Sequence, residues 1–260
     1  MTHFFIYLGR RVMAFVYFMG GLTNLVLQSF ALVFVPPYQR HRVFEQAKKA
    51  GLDSLPIVSL ISFFIGVILA LQTAYQMKKL GSEMYIASIV AVSLVRELGP
   101  VLTALIVAGR VGAAIAAETG SMQVTEQIDA LETLATNPVR YLVVPRLVAL
   151  ALMLPILTIY ADMIGILGGY LICVTKLGIS SGMYLRLSFQ SLVYKDLFSG
   201  LFKTVFFGMI IAFVSSYEGF NVQGGAEGVG RATTRAVVFS FILIIIADCF
   251  FAVLFNFIFP

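Results

Sequence analysis

Residues 93–105, Ser-Leu-Val-Arg-Glu-Leu-Gly-Pro-Val-Leu-Thr-Ala-Leu, set two adjacent charges, Arg96 and Glu97, and a proline, Pro100, inside an otherwise apolar run. Small residues then recur at every fourth position, Ala104, Ala108, Gly112, Ala116 and Gly120, a spacing that keeps them on one side of a helix. Polar and apolar residues alternate by turns over 125–134, and Asn137-Pro138 closes the stretch. A membrane helix that continues into a water-facing amphipathic segment describes a machine driven from outside the bilayer.

Composition agrees. The chain of 260 residues is 60% hydrophobic and 12% charged, with a mean hydropathy of +0.95. A soluble domain would carry about a quarter charged residues, so the fold class is an all-α polytopic membrane protein. No polar stretch is long enough for a second domain, and one domain over 1–260 is expected. The net charge of +5 suits loops facing an anionic cytoplasmic leaflet. Its cations are scattered among apolar segments, which argues against nucleic acid. Cys173 and Cys249 both lie in apolar runs and read as buried, reduced packing residues.

Working outward, residues 12–35 are apolar enough for a span, yet mixed enough for a helix lying in the interface. A signal peptide fits poorly, and Arg10-Arg11 is a weak twin-arginine match. Residues 38–49 hold Arg40, Arg42, Lys48 and Lys49 and read as a cytoplasmic basic loop. Five spans are predicted at about 55–75, 85–116, 143–174, 197–217 and 236–259, with the C-terminus outside. Residues 78–83 form a turn, and Pro100 should kink the second span. Gly165 and Gly169 give the third span a close-packing face. Residues 181–196 predict a short surface helix carrying Leu185, Phe189, Leu192 and Val193 on its apolar face. Residues 218–235 read as a glycine-rich polar loop.

Four ionisable residues are singled out within the spans: Arg96, Glu97, Lys203 and Asp248. Each costs roughly 2.5–3.5 kcal/mol at a helix centre on insertion scales, and mutual pairing is the cheapest arrangement. Such a cluster would tie the second, fourth and fifth spans together, either as a gate or headgroup contact or as a structural staple. Lys203 could instead snorkel to the interface. The small-residue ladder suits packing within one subunit or across a dimer. Over 126–134, Ile128, Leu131 and Leu134 fall along one side and Glu126, Asp129 and Glu132 along another. That is a solvated loop helix or a docking element for a soluble partner.

Two motif matches fail. Residues 225–232 have the glycine spacing of a phosphate loop, but Arg231 replaces its lysine and Ala232 its hydroxyl residue. Residues 178–182 match G-x-S-x-G without a preceding strand, and the only histidines are His3 and His41. Neither nucleotide hydrolysis, serine catalysis nor a catalytic metal is supported, and no cofactor is expected.

The long motifs carry a resemblance. Residues 93–105, then Ala-Gly-Arg-Val-Gly-Ala-Ala-Ile-Ala-Ala-Glu-Thr-Gly-Ser-Met over 108–122, then Glu126-Gln127 through Ala130-Leu131 to Pro138, resemble the MlaE/YrbE permease family. Gly-Arg-Ala-Thr-Thr-Arg-Ala-Val-Val over 230–238 continues the likeness, which covers nearly the whole chain. The resemblance implies a permease subunit of an ABC transporter that moves phospholipid or related lipid between inner and outer membranes. It implies a homodimer in the inner membrane, with an interfacial helix and basic loop over 1–50 and a transmembrane region over 55–259. A coupling helix at about 124–137 would contact a separate ATPase through Glu126, Gln127, Ala130, Leu131 and Leu134. The family's charged membrane residues fall on Arg96, Glu97, Lys203 and Asp248. Its lipid cavity falls on Leu69, Met77, Leu80 and Leu98. Further implied partners are an MCE-domain lipid-binding protein outside and, in many members, a small STAS-domain protein on the ATPase.

Two rivals stand beside this reading. A passive or ion-coupled carrier would use the same charges without a coupling helix. A scaffold would leave the buried charges without a use.

Overall fold

The computed structural model describes the backbone of residues 2–36 and 39–258 and their side chains other than 2–12, 14 and 15. Among the described residues there is no strand. Six stretches of the described residues are long and apolar enough to cross a membrane: Val16–Val33, Arg40–Lys79, Glu83–Val124, Val139–Thr175, Tyr194–Phe220 and Gly225–Ile258. The last five contain the predicted spans. The first is the segment whose composition allows either a span or an interfacial helix.

α1 (Thr2–Val33) docks one face on the bundle. Its Leu22 and Leu25 enter the main core, and Phe18 stacks edge-on against Tyr217 at 5.3 Å. Arg10-Arg11 lies outside the described side chains. The basic stretch is a helix, not a loop: α2 (Arg40–Ala50). Val43, Ala47 and Ala50 recur at helical spacing and turn toward the bundle, while Lys48 and Lys49 lie in the last turn, where the helix dipole favours cations.

α3 (Leu55–Lys79) runs four residues beyond its expected end, so the turn is confined to Leu80–Ser82. It packs closely on α8 (Val144–Thr175), because glycines remove the side chains between the two backbones. A Cβ on Gly66 would lie 1.8 Å from the Gly165 carbonyl oxygen, and one on Gly168 would lie 2.2 Å from that of Phe63. Gly168 joins Gly165 on the close-packing face; a Cβ on Gly169 would lie 3.5 Å from the Gly66 carbonyl oxygen, after meeting the Tyr184 hydroxyl and Val90 more closely.

The second span is a composite of α4 (Ile86–Ser93), α5 (Gly99–Val107) and α6 (Ala113–Val124), joined by π-helical turns at Leu94–Leu98 and Ala108–Gly112. Pro100 was expected to kink a regular helix; the backbone widens just before it. The Gly99 N–H donates to the Leu94 carbonyl, five residues back, so the extra residue is taken up where proline cannot donate. The same device precedes Pro145, with a π turn at Val139–Val143. The ladder Ala104, Ala108, Gly112, Ala116 and Gly120 is buried within the chain. Gly112 lies against Ile211 and Ser215 of α10 (Tyr194–Phe220).

Between them, α7 (Gln127–Thr133) is a short helix outside the bundle, and α9 (Ser181–Ser191) is the surface helix. The apolar face of α9 turns outward: Leu185, Phe189 and Val193 are exposed, and Tyr184 and Ser188 are buried. In lipid there is no premium on hiding leucine, whereas hydroxyls need partners. The Tyr184 hydroxyl donates to the Ile166 carbonyl at 3.2 Å, and burial raises its pKa above the ordinary phenol value. α10 continues through Phe220 and α11 (Gly225–Ile258) starts at Gly225, so the expected loop over 218–235 shrinks to Asn221–Gly224. Cys173 is buried as expected; Cys249 is exposed on α11.

Candidate functional site

The π turn at Leu94–Leu98 holds the two charges that open the second span. Glu97 meets Lys203, whose Nζ lies 2.6 Å from Glu97 Oε2 and 3.0 Å from Asp248 Oδ1. Lys203 is buried at 1% exposure, while Glu97 keeps 40%. One ammonium thus bridges carboxylates from two other segments, and it does not snorkel. With all three ionised, the triad holds one negative charge in excess, and it is open on the Glu97 side.

Arg96 does not join the triad. Its Nη1 lies 3.9 Å from Asp196 Oδ1, in the first turn of α10, where Asp196 also accepts from the Val193 N–H at 3.4 Å. The sequence places Asp196 at the end of the surface helix, and nothing in its local sequence marks it as a partner for a residue 100 positions earlier. The site therefore presents an open guanidinium and an open carboxylate side by side, each backed by an opposite charge.

Arg96, Glu97, Lys203 and Asp248 are not the only ionisable residues within the predicted spans. Arg110, Arg146 and Asp162 also lie within the predicted spans. Arg110 donates to Ser54 Oγ at 3.0 Å and to the Lys49 carbonyl, tying the span to the end of α2. Arg146, fully buried, donates to Thr119 Oγ1 at 2.5 Å and pairs with Glu118 at 3.1 Å. Asp162 is buried, its Oδ1 has no hydrogen-bond partner among the described residues, and it faces Gly99 directly after the π turn. A Cβ on Gly99 would lie 1.8 Å from that oxygen.

Leu69, Met77 and Leu98 are half-buried against a small apolar cluster that includes Ala70, Ala74, Ile86 and Val90. Leu80 stands exposed past the end of α3. None of the four lines the groove of about 520 Å³ between α2 and α8.

At the opposite end, α7 is held by its flanks. Glu126 at its N-cap and Ala135 after its end both adopt left-handed backbone, with φ of 57° and 54°. Ile128 is buried and Leu131 half-buried, whereas Gln127, Ala130 and Leu134 point outward together. Leu134, expected to share the side of Ile128, is 75% exposed. Asn137 does not stop α7; its Oδ1 accepts from the Val139 N–H at 2.9 Å and begins the next helix, with Pro138 in the first turn. α7 is thus an anchored element with one face unpartnered in this chain.

The sequence profile described as Permease MlaE matches residues 43–254. The chain belongs to the MlaE permease family. A probable ABC transporter permease protein of Rickettsia conorii is 45% identical over 240 residues, 92% of this chain and 93% of its own length. The intermembrane phospholipid transport system permease protein MlaE of Haemophilus influenzae is 35% identical over 244 residues, covering 93% of each. TRIGALACTOSYLDIACYLGLYCEROL 1, a chloroplastic protein of Arabidopsis thaliana, is 39% identical over 204 residues, 78% of this chain and 58% of its own. As an MlaE permease the chain is a multi-pass membrane component of a transporter.

Proposed function

We propose that this chain is one permease domain over its whole length and that it moves phospholipid between the inner and outer membranes. In this reading it works as a homodimer in the inner membrane, driven by a separate ABC ATPase. An MCE-domain lipid-binding protein on the outer side and a STAS-domain protein on the ATPase complete the assembly. α1 lies in the interface, and α3 to α11 form the transmembrane region.

The observation that carries the reading is α7: a short helix fixed by Ile128 and two left-handed residues, with Gln127, Ala130 and Leu134 facing outward. A soluble partner that closes on this face moves the α6 and α8 ends together, because α7 links the two. The lipid reading rests on Arg96, which offers a guanidinium for a phosphate, and on the apolar side chains of Leu69, Met77, Leu80 and Leu98. The name of the Haemophilus influenzae relative points to the same cargo.

The test is affinity capture of the chain from membranes in mild detergent, followed by mass spectrometry of proteins and lipids. The expected result is a co-purifying ATPase and bound phospholipid, with the ATPase lost from Ala130→Asp and Leu134→Arg variants that still insert and purify. Capture without any ATPase, together with lipid exchange indifferent to ATP, would replace this reading with the passive or ion-coupled carrier.

A further inference from the structure

α2 does not lie flat on α8. Between them, and closed at one end by the last turn of α1, is a groove of about 520 Å³. Its walls are apolar: Val43 and Ala47 on α2, and Val148, Leu152, Met153 and Ile156 on α8. Leu152 and Ile156 are more than half exposed, so the groove opens sideways, toward the face a span shows to lipid. At its mouth stand two arginines from different segments, Arg40 at the start of α2 and Arg140 in the π turn before α8. Arg140 is steadied there by donating to the Val35 carbonyl at 3.0 Å. No acidic residue lines the groove among its described residues.

We infer that this groove binds an anionic phospholipid of the cytoplasmic leaflet, with its phosphate at Arg40 and Arg140 and an acyl chain along Val148, Leu152 and Ile156. The charge pattern selects the occupant. An apolar slot alone would take any lipid tail, whereas two arginines lining a slot between membrane helices favour a net negative headgroup. The basic character of α2, with Arg40, Arg42, Lys48 and Lys49 against Glu45, places that end on the cytoplasmic side. The site is separate from the cargo region: Leu69, Met77, Leu80 and Leu98 take no part in it. The inference does not depend on the direction of transport or on the ATPase.

The site has a consequence for α2. Beyond the groove, Arg42 hydrogen-bonds the Tyr141 hydroxyl and stacks over its ring at 3.4 Å. Arg42 and Tyr141 also line a second, smaller cavity together with Glu118 and Arg146. A lipid that fixes α2 therefore also steadies the segment that leads out of α7.

The chain contains no tryptophan, so a single introduced one reports its own surroundings. Leu152→Trp places it in the groove wall, and Val238→Trp places a control on exposed α11 surface. Each full-length variant is reconstituted into bilayers containing phosphatidylglycerol or phosphatidylcholine with brominated chains, and quenching is measured against mole fraction. The expected result is a roughly fivefold preference for phosphatidylglycerol at Leu152→Trp, the size one well-placed arginine provides. That preference should fall toward unity in Arg40→Gln and Arg140→Gln backgrounds and be absent at Val238→Trp. Equal quenching by both lipids, an equal preference at Val238→Trp, or a preference indifferent to both arginine changes would each overturn the inference. Arg40 is exposed on α2, so its single substitution tests the site without disturbing the bundle.

Discussion

Glu97 and Lys203, 106 positions apart, meet with 2.6 Å between carboxylate oxygen and ammonium nitrogen. That contact is possible because the π turn at Leu94–Leu98 supplies the register in which Glu97 faces α10 while its neighbour Arg96 reaches Asp196. In a regular helix, adjacent residues point about 100° apart and must find different partners; here both partners lie on α10, one near its start and one two turns further in.

Lys203 is the group the triad cannot lose. Lys203→Met leaves Glu97 and Asp248 facing one another with no cation between them. Removing one partner of a buried pair costs roughly 3–5 kcal/mol, and the partial exposure of Glu97 puts this case near the lower end. Neutralising all three, as Glu97→Gln with Lys203→Met and Asp248→Asn, should recover most of that loss. Thermal unfolding of the purified variants checks it: a triple variant no more stable than Lys203→Met would mean that the three groups are not coupled.

Gly99 and Asp162 predict a different kind of coupling. Gly99→Ala drives a methyl group into the Asp162 carboxylate and should lower folded yield sharply. Asp162→Ala by itself removes an oxygen that has no partner among the described residues, so it should be tolerated. The double variant should fold better than Gly99→Ala alone, giving a non-additive cycle. Additive losses, read as monodisperse protein by size exclusion, would place the two residues out of contact.

Much of the architecture was legible because hydropathy dominates in membranes: the apolar runs mark the five spans to within a few residues, apart from the second and fifth, which extend into polar sequence at one end. Those extensions were missed because Glu118, Glu218 and Arg235 read as loop composition. In the fold Glu118 pairs with Arg146, and Glu218 with Arg235 at 2.9 Å, which lets the helices continue. The triad could be anticipated, since a buried lysine demands a carboxylate. The Arg96–Asp196 pair could not, because it depends on the register set by the π turn.

Ala135 closes α7 in left-handed backbone, a conformation that costs a residue with a side chain about 1–2 kcal/mol. Ala135→Gly should therefore raise thermal stability by roughly 0.5–1 kcal/mol, and Ala135→Val should lower it by more, since branching at Cβ worsens the clash. The two variants also separate strain from function. The Leu131 carbonyl accepts from the Thr136 N–H at 2.9 Å, so the turn after α7 is closed by a hydrogen bond that depends on Ala135 keeping its geometry. Glycine keeps that geometry when folded but leaves the chain freer to abandon it. If α7 transmits force as a rigid element, Ala135→Gly should stabilise the fold and yet weaken coupling, read as ATPase activity that responds less to lipid. Unchanged coupling with raised stability would mean that the bundle, and not this turn, holds α7 in place.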